Sequence, residues 1–199
     1  MILVLPVALL LLASQQPIND VEEDTPFSER QPVRLTPLPA ERAFAAFREI
    51  CMAGLADPAA FDRAAAASPL GFVRSARAGR DVHEWSSQHG QIVLRQAEDR
   101  RGDARRDRRE GRVMRQRWQA RCDFWTAIDE RLDGSAMAAA IGAALAPQAR
   151  PVEEILGTSW DLGPAEAGGL LKLVYLPASE ADPRLFTLSL QRLADNPPR

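Results

Sequence analysis

The chain has 199 residues, with 25 basic and 27 acidic side chains and a formal net charge of −2. This length suffices for one domain with a substantial hydrophobic core, which excludes the mini-proteins that need several disulfides. The slightly acidic balance argues against general nucleic-acid binding. Arginine greatly outnumbers the single lysine, Lys172, and alanine is abundant, as GC-rich bacterial genomes encode by default.

The chain begins with an apolar run, ILVLPVALLLLA, at residues 2–13. A membrane-spanning helix needs about 20 such residues, whereas a run of this length is typical of a signal-peptide core. Pro6 argues against a buried helix, because a proline inside a helix costs about 3 kcal/mol. We therefore expect residues 1–13 to be a signal segment and the protein to be periplasmic or secreted. The alternative is an uncleaved segment that anchors the chain to the inner membrane.

The next stretch, residues 14–37, is acidic and contains four prolines. It has too little apolar surface to offset the entropy lost on ordering, which predicts an extended, mobile leader. The tail at residues 194–199 has a similar composition and is predicted to be disordered. Between them, we expect a single α+β domain at residues 38–193.

Helical periodicity marks the start of this domain. An amphipathic helix is predicted from Ala40 to Leu55, because its large apolar residues recur at spacings of three and four. Those residues are Phe44, Phe47, Cys51 and Leu55. The helix breaks at Asp57-Pro58, and a shorter, alanine-rich helix is predicted at residues 59–67.

Alternating patterns then replace the helical ones. Residues 81–86 and 91–96 are predicted to form a hairpin around a turn that ends at Gly90. A longer strand is predicted at residues 112–124, where apolar and polar side chains alternate. Its apolar face contains Met114, Trp118, Ala120, Cys122 and Phe124, with Gln116 as the exception.

The last part of the domain repeats this change from helix to strand. Asp133 is a predicted N-cap for a helix that Pro147 ends, and strands are predicted at residues 158–162, 170–176 and 184–193. The predicted fold is therefore α+β. N-terminal helices and one later helix pack on a mostly antiparallel sheet of about six strands.

Two cysteines, Cys51 and Cys122, lie on the apolar faces of a predicted helix and a predicted strand. In an exported chain, an even number of cysteines favours an intramolecular disulfide over free thiols. A CxxC motif is absent, so the sequence does not support a thioredoxin-type redox role. We expect a structural Cys51–Cys122 bridge.

The segment from Arg100 to Arg121 holds ten arginines and only three acidic residues. Guanidinium groups bind phosphate and carboxylate through paired hydrogen bonds, so this segment is a candidate anion-binding site. Lipopolysaccharide phosphates, anionic lipid headgroups and acidic partner proteins are the ligands available to an exported protein. The alternative is a long solvated loop at residues 97–111. The residues most directly implicated are Arg105, Arg106, Arg108 and Arg109.

Signatures of catalysis are weak. The only histidines, His83 and His89, lie on either side of a predicted turn and match no zinc motif, so we expect neither a metal site nor a cofactor. GxSxG and glycine-rich phosphate loops are absent from the sequence. No catalytic residue is selected, and an enzymatic role is disfavoured.

Three functions remain open on the sequence. The first is an exported, non-catalytic protein that binds or supports another component of the cell envelope. The second is a module that binds polyanions or anionic membrane surfaces through the Arg100–Arg121 segment. The third is a small carboxylate-dependent hydrolase, which requires a cleft with clustered acids.

Overall fold

The computed structural model describes residues 35–76, 81–96, 118–166, 168–178, 182 and 184–194. Its helices are α1 (Ala40–Phe47), α2 (Pro58–Ala67) and α3 (Gly134–Leu145), and a π-helical turn at Arg48–Met52 follows α1. Its strands are β1 (Val73–Arg74), β2 (Val82–Ser87), β3 (Gly90–Gln96), β4 (Trp118–Ala127), β5 (Pro151–Glu154), β6 (Gly157–Pro164), β7 (Leu170–Pro177) and β8 (Leu185–Leu193).

All eight strands belong to one sheet, in the order β1-β2-β3-β4-β8-β7-β6-β5. Every pair of neighbouring strands is antiparallel. The sheet thus consists of two four-stranded meanders, joined where β4 pairs with β8. Two helices, α1 and α2, precede the first meander, and α3 precedes the second. The predicted α+β fold is therefore confirmed.

The two strands beyond the expected six are β1 and β5, the edges of the sheet. A two-residue strand such as β1 is too short to show alternation. β5 begins with Pro151, which normally argues against a strand, and all four of its residues are exposed. Prolines are tolerated at sheet edges because the missing N–H group faces outward.

The hydrophobic core lies between the helices and one face of the sheet. Alternate residues of the central strands point into it because successive side chains of a strand face opposite sides. Tight packing is visible where Gly142 of α3 meets the indole of Trp160, since a Cβ atom there would lie 3.2 Å from the indole nitrogen. The sheet contributes Ile92, Leu94, Cys122, Phe124, Trp160, Leu173, Tyr175, Phe186, Leu188 and Leu190.

The first predicted helix is interrupted. Its apolar stripe is buried throughout, but the π-helical turn at Arg48–Met52 separates α1 from the last residues of the stripe. In this wider turn, Ile50 and Cys51 are both buried although they are adjacent in sequence. The periodicity therefore predicted the buried face correctly and missed the change of helix type.

A disulfide joins Cys51 in the π-helical turn to Cys122 near the middle of β4, with 5.5 Å between the two Cα atoms. Both residues are fully buried. The predicted bridge is therefore present, and it links the helical layer to the sheet. Structural disulfides persist in oxidising compartments and are rare in the cytoplasm, so the bridge indicates an oxidising location.

Two of the three helices, α2 and α3, begin with an aspartate cap. Asp57 accepts a hydrogen bond from the backbone N–H of Ala59 at 2.9 Å, and Asp133 accepts one from Ala136 at 2.7 Å. Each carboxylate satisfies a backbone donor that would otherwise lack a partner in the first turn.

The predicted signal segment and most of the predicted leader lie outside the described residues, as does the tail beyond residue 194. The chain reaches the domain through Thr36, whose N–H donates to the carbonyl oxygen of Gln88, and Leu38, which forms a bridge with Ile128. In the part of the chain that is described, no helix combines the length and apolarity needed to cross a bilayer.

Candidate functional site

The predicted anion-binding arginines at positions 105, 106, 108 and 109 lie outside the described residues. The two histidines lie within them and are far apart in the sheet. His83 pairs with Leu94, while His89 belongs to the β2–β3 turn, where its Nδ1 atom lies 2.9 Å from the carbonyl oxygen of Thr36. Among the described residues, no group of three or more histidine, cysteine or acidic side chains is arranged to hold a metal ion.

A polar cluster centred on Asp62 connects α2 to the sheet. Its carboxylate accepts hydrogen bonds from His83 Nδ1 at 2.9 Å and from Trp85 Nε1 at 2.8 Å, and Arg74 lies 3.4 Å away. An ionised carboxylate can only accept hydrogen bonds, so the Nδ1 atom of His83 carries the proton. The ring of Phe61 meets His83 edge-on.

Competing effects set the pKa of Asp62. Partial burial raises it, but the hydrogen bonds from Trp85 and His83 and the charges of His83 and Arg74 outweigh burial and lower the pKa of this carboxyl below 3.8. The carboxylate is therefore ionised at neutral pH and holds α2 against β2.

This cluster gives the hydrolase hypothesis no support. Aspartate–histidine pairs do serve hydrolases, in which the histidine activates a nucleophile. Asp62 is the only described residue whose side chain is hydrogen-bonded to His83. Asp62, Asp133, Glu154 and Asp182 all have lowered pKa values, whereas a general acid needs a raised one.

The second face of the sheet carries polar as well as apolar side chains, which lie in three rows that cross the strands. The middle row consists of small, buried side chains outside the hydrophobic core cluster: Val93, Asp123, Ser189, Val174 and Ser159. On one side lie longer side chains that donate hydrogen bonds: Arg95, Arg121, Gln191 and Lys172. On the other side lie Gln91, Trp125, Thr187 and Leu176.

The donor row folds toward the middle row. Arg95 donates to Asp123 at 2.9 Å and Arg121 at 2.7 Å, and Gln191 donates to Ser189 at 3.2 Å. These contacts cover the small side chains, so this face is shielded from water by polar side chains where the other is shielded by helices.

Lys172 extends this network toward the edge of the sheet. Its ammonium group donates to Glu154 at 2.6 Å, and the same carboxylate oxygen accepts from Ser159 at 2.6 Å. The hydrogen bonds from Lys172 and Ser159 lower the pKa of Glu154 despite some burial. The network thus attaches β5 to β6 and β7.

The β5–β6 hairpin carries the most exposed apolar side chains of the described residues at its tip. Ile155 is fully exposed at 101 % and Leu156 is 73 % exposed. These two residues form the turn between Glu154 and Gly157, where asparagine, aspartate or glycine is usual. Val152, on the same hairpin, is 52 % exposed. Aliphatic side chains at this tip are not buried in the domain, so they contribute little to its stability.

The backbone edge beside this tip is protected. β5 has only four residues, begins with Pro151, and carries exposed Glu153 and Glu154. Short edge strands with prolines and charges resist pairing with a strand from another chain. Backbone pairing of another chain with this edge is therefore disfavoured, and exposed side chains are what this end of the sheet offers to a partner.

Comparison of the chain with protein-family models, with curated proteins and with solved structures finds no match.

The sequence analysis missed both the Arg95–Asp123–Arg121 contact and the exposed tip of the β5–β6 hairpin. The Arg95–Asp123–Arg121 contact depends on strand register, which the sequence pattern does not specify across a connection of this length. The tip did have a usable indicator, because adjacent Ile155 and Leu156 directly precede Gly157 and follow two glutamates. Two large aliphatic residues are unusual in a two-residue hairpin turn, where asparagine, aspartate and glycine are preferred.

Proposed function

We propose that the protein is an exported, non-catalytic binding module of the periplasm, and that it docks onto another protein of the cell envelope through the tip of the β5–β6 hairpin. One observation carries the proposal: Ile155 and Leu156 are exposed at the end of a hairpin that is itself well attached. The disulfide supports an oxidising compartment, and the apolar N-terminal run supports export.

The energetics favour a contact with an apolar pocket. Burying one large aliphatic side chain contributes about 1.5–3 kcal/mol, so two at one tip can anchor an interface. The tip is presented rigidly, because β6 pairs with β7 along its length and Glu154 is bound to Lys172. Little ordering entropy is therefore lost when the tip binds.

The charges around the tip favour a protein over an anionic membrane. Glu153 and Glu154 directly precede Ile155, and Glu154 is ionised at neutral pH. The charge of Glu154 is balanced by Lys172, so it is the carboxylate of Glu153 that anionic lipid headgroups would repel and that matches a pocket with a basic rim. The expected partner is therefore a protein with an apolar pocket bordered by arginine or lysine.

Site-specific photo-crosslinking in cells tests this function. A photoreactive amino acid at position 156 should give one discrete protein adduct, and the same residue at position 73 should not. Val73 is a matched control because it is apolar, 71 % exposed and located at the opposite edge of the sheet. Adducts to lipid alone, or the same adducts at both positions, would contradict the proposal.

A quantitative test follows once the adduct is identified. The Ile155→Ser, Leu156→Ser double variant should bind the purified partner at least about 100-fold more weakly, because both anchors are lost. The Val73→Ser variant should bind like the unaltered protein. Equal affinity of all three proteins would exclude the tip as the docking element.

A further inference from the structure

The second face of the sheet contains an arrangement that strand pairing alone disfavours. Arg95 and Arg121 are directly opposite each other on β3 and β4. Like charges at opposed positions of neighbouring strands are destabilising. Asp123 relieves the repulsion by accepting one hydrogen bond from each guanidinium group.

The compensation is incomplete. Two guanidinium groups and one carboxylate leave one positive charge uncompensated within this triad. Asp123 uses one N–H group of each arginine, and the remaining N–H groups have no hydrogen-bond partner among the described residues. None of these N–H groups is buried without a partner among the described residues, so they are accessible to solvent. Unpaired donors therefore remain on both arginines, whose side chains are about 30 % exposed.

We propose that Arg95 and Arg121 form a binding site for one singly charged oxyanion, a carboxylate or a phosphodiester. Two adjacent guanidinium groups can each donate to such a group, and charge-assisted bonds of this kind are roughly twice as strong as neutral ones. One negative charge neutralises the triad, and the carboxylate of Glu84, opposite Val93 on the same face of the sheet, disfavours a second one. A phosphate monoester, with nearly two, would leave an excess beside Asp123.

The neighbouring residues fit this assignment. Gln191 pairs with Arg121 and Lys172 pairs with Gln191, so hydrogen-bond donors continue along the same row. Lys172 is already bound to Glu154, which leaves the arginine pair as the centre of the site. The site is separate from the hairpin tip and does not rest on the proposed docking function, so the two can fail independently.

Titration of the full chain with small anions tests the site. The side-chain Nε–H signals of Arg95 and Arg121 are followed by NMR while sodium acetate or sodium dimethyl phosphate is added, with sodium chloride of equal ionic strength as the reference. Both signals should shift in a saturable manner, with a dissociation constant of about 1–10 mM. Tighter binding of acetate would assign a carboxylate ligand, and tighter binding of dimethyl phosphate would assign a phosphodiester.

Two variants should change the affinity for the anion in opposite directions. Arg121→Gln should weaken binding about tenfold, whereas Asp123→Asn should tighten it severalfold because it removes the competing carboxylate. Arg184→Gln is the matched control, since Arg184 is held by Asp182 through two hydrogen bonds and should not affect binding. A purely structural triad would show no tightening in Asp123→Asn.

The titration of the unaltered protein decides the matter even where a variant fails to fold. Shifts at Arg95 and Arg121 that stay linear, or that match those of Arg184, would show only ionic screening and would overturn the proposal.

Discussion

Removing the Cys51–Cys122 disulfide should destabilise the domain by an amount that depends on the length of the loop it closes. The bridge closes a loop across a sequence separation of 71 residues. In the chain-entropy account, such a loop restricts the unfolded chain enough to contribute about 4 kcal/mol to the free energy of unfolding. Both cysteines are fully buried, so the two thiols stay in the core after reduction and no polar group is newly exposed to it.

Urea unfolding of the full chain, followed by tryptophan fluorescence with and without a reducing agent, measures this contribution. With a urea slope of about 2 kcal/mol per molar, typical for a domain of this size, the midpoint should fall by about 2 M on reduction. The Cys51→Ala, Cys122→Ala variant should be insensitive to the reductant. It should also be roughly 1–2 kcal/mol less stable than the reduced protein, because it loses buried sulfur atoms.

Coincident midpoints for the oxidised and reduced protein would refute the reasoning. That result would mean that the loop is already constrained in the unfolded chain, or that the bridge strains the native one. A double variant as stable as the oxidised protein would lead to the same conclusion.

The remaining predictions concern single positions. Asp62→Asn should lower the stability measured by urea unfolding at neutral pH. Because the folded pKa of Asp62 is depressed, its contribution is complete well above the pKa of an aspartate in the unfolded chain and disappears as the pH falls through the folded pKa, so the stability difference should shrink in acid. Gly90→Ala should lower the melting temperature by several degrees in calorimetry, because its Cβ atom would collide with the carbonyl oxygen of Trp125. The Ile155→Ser, Leu156→Ser variant should melt within about a degree of the unaltered protein, since exposed side chains contribute little to folding.

The sequence was most informative where a period extends over several residues. The stripe from Phe44 to Leu55 and the alternation through Cys122 and Phe124 each identified a buried face, and these two faces placed both cysteines in one core. Periodicity is set by the direction of side chains, which is a local property of helices and strands. The α+β class followed from the order of such segments.

The two edge strands of the sheet, β1 and β5, could not be predicted from periodicity. β5 is exposed along its whole length and starts with Pro151, so it has neither an apolar face nor a strand-like composition. It is a strand because β6 offers it a partner, which is a tertiary effect. β1 likewise depends on its two pairs with β2.

The candidate sites depended still more on tertiary structure. Asp62 and His83 are 21 residues apart and meet only because α2 packs beside β2. Arg95 and Arg121 become neighbours through the register of β3 with β4, across a connection of more than twenty residues. The arginines at 105, 106, 108 and 109 stay a prediction from the sequence alone.

We expect this disulfide-linked domain to work outside the cytoplasm, where an envelope partner is available. Alkylation of free thiols in intact cells, followed by mass spectrometry of the purified protein, tests it most directly. The expected result is a Cys51–Cys122 linked peptide without alkylation, and a mature N-terminus at Ser14 if the signal segment is cleaved. A chain with both cysteines alkylated would place the protein in a reducing compartment and rule out a role outside the cytoplasm.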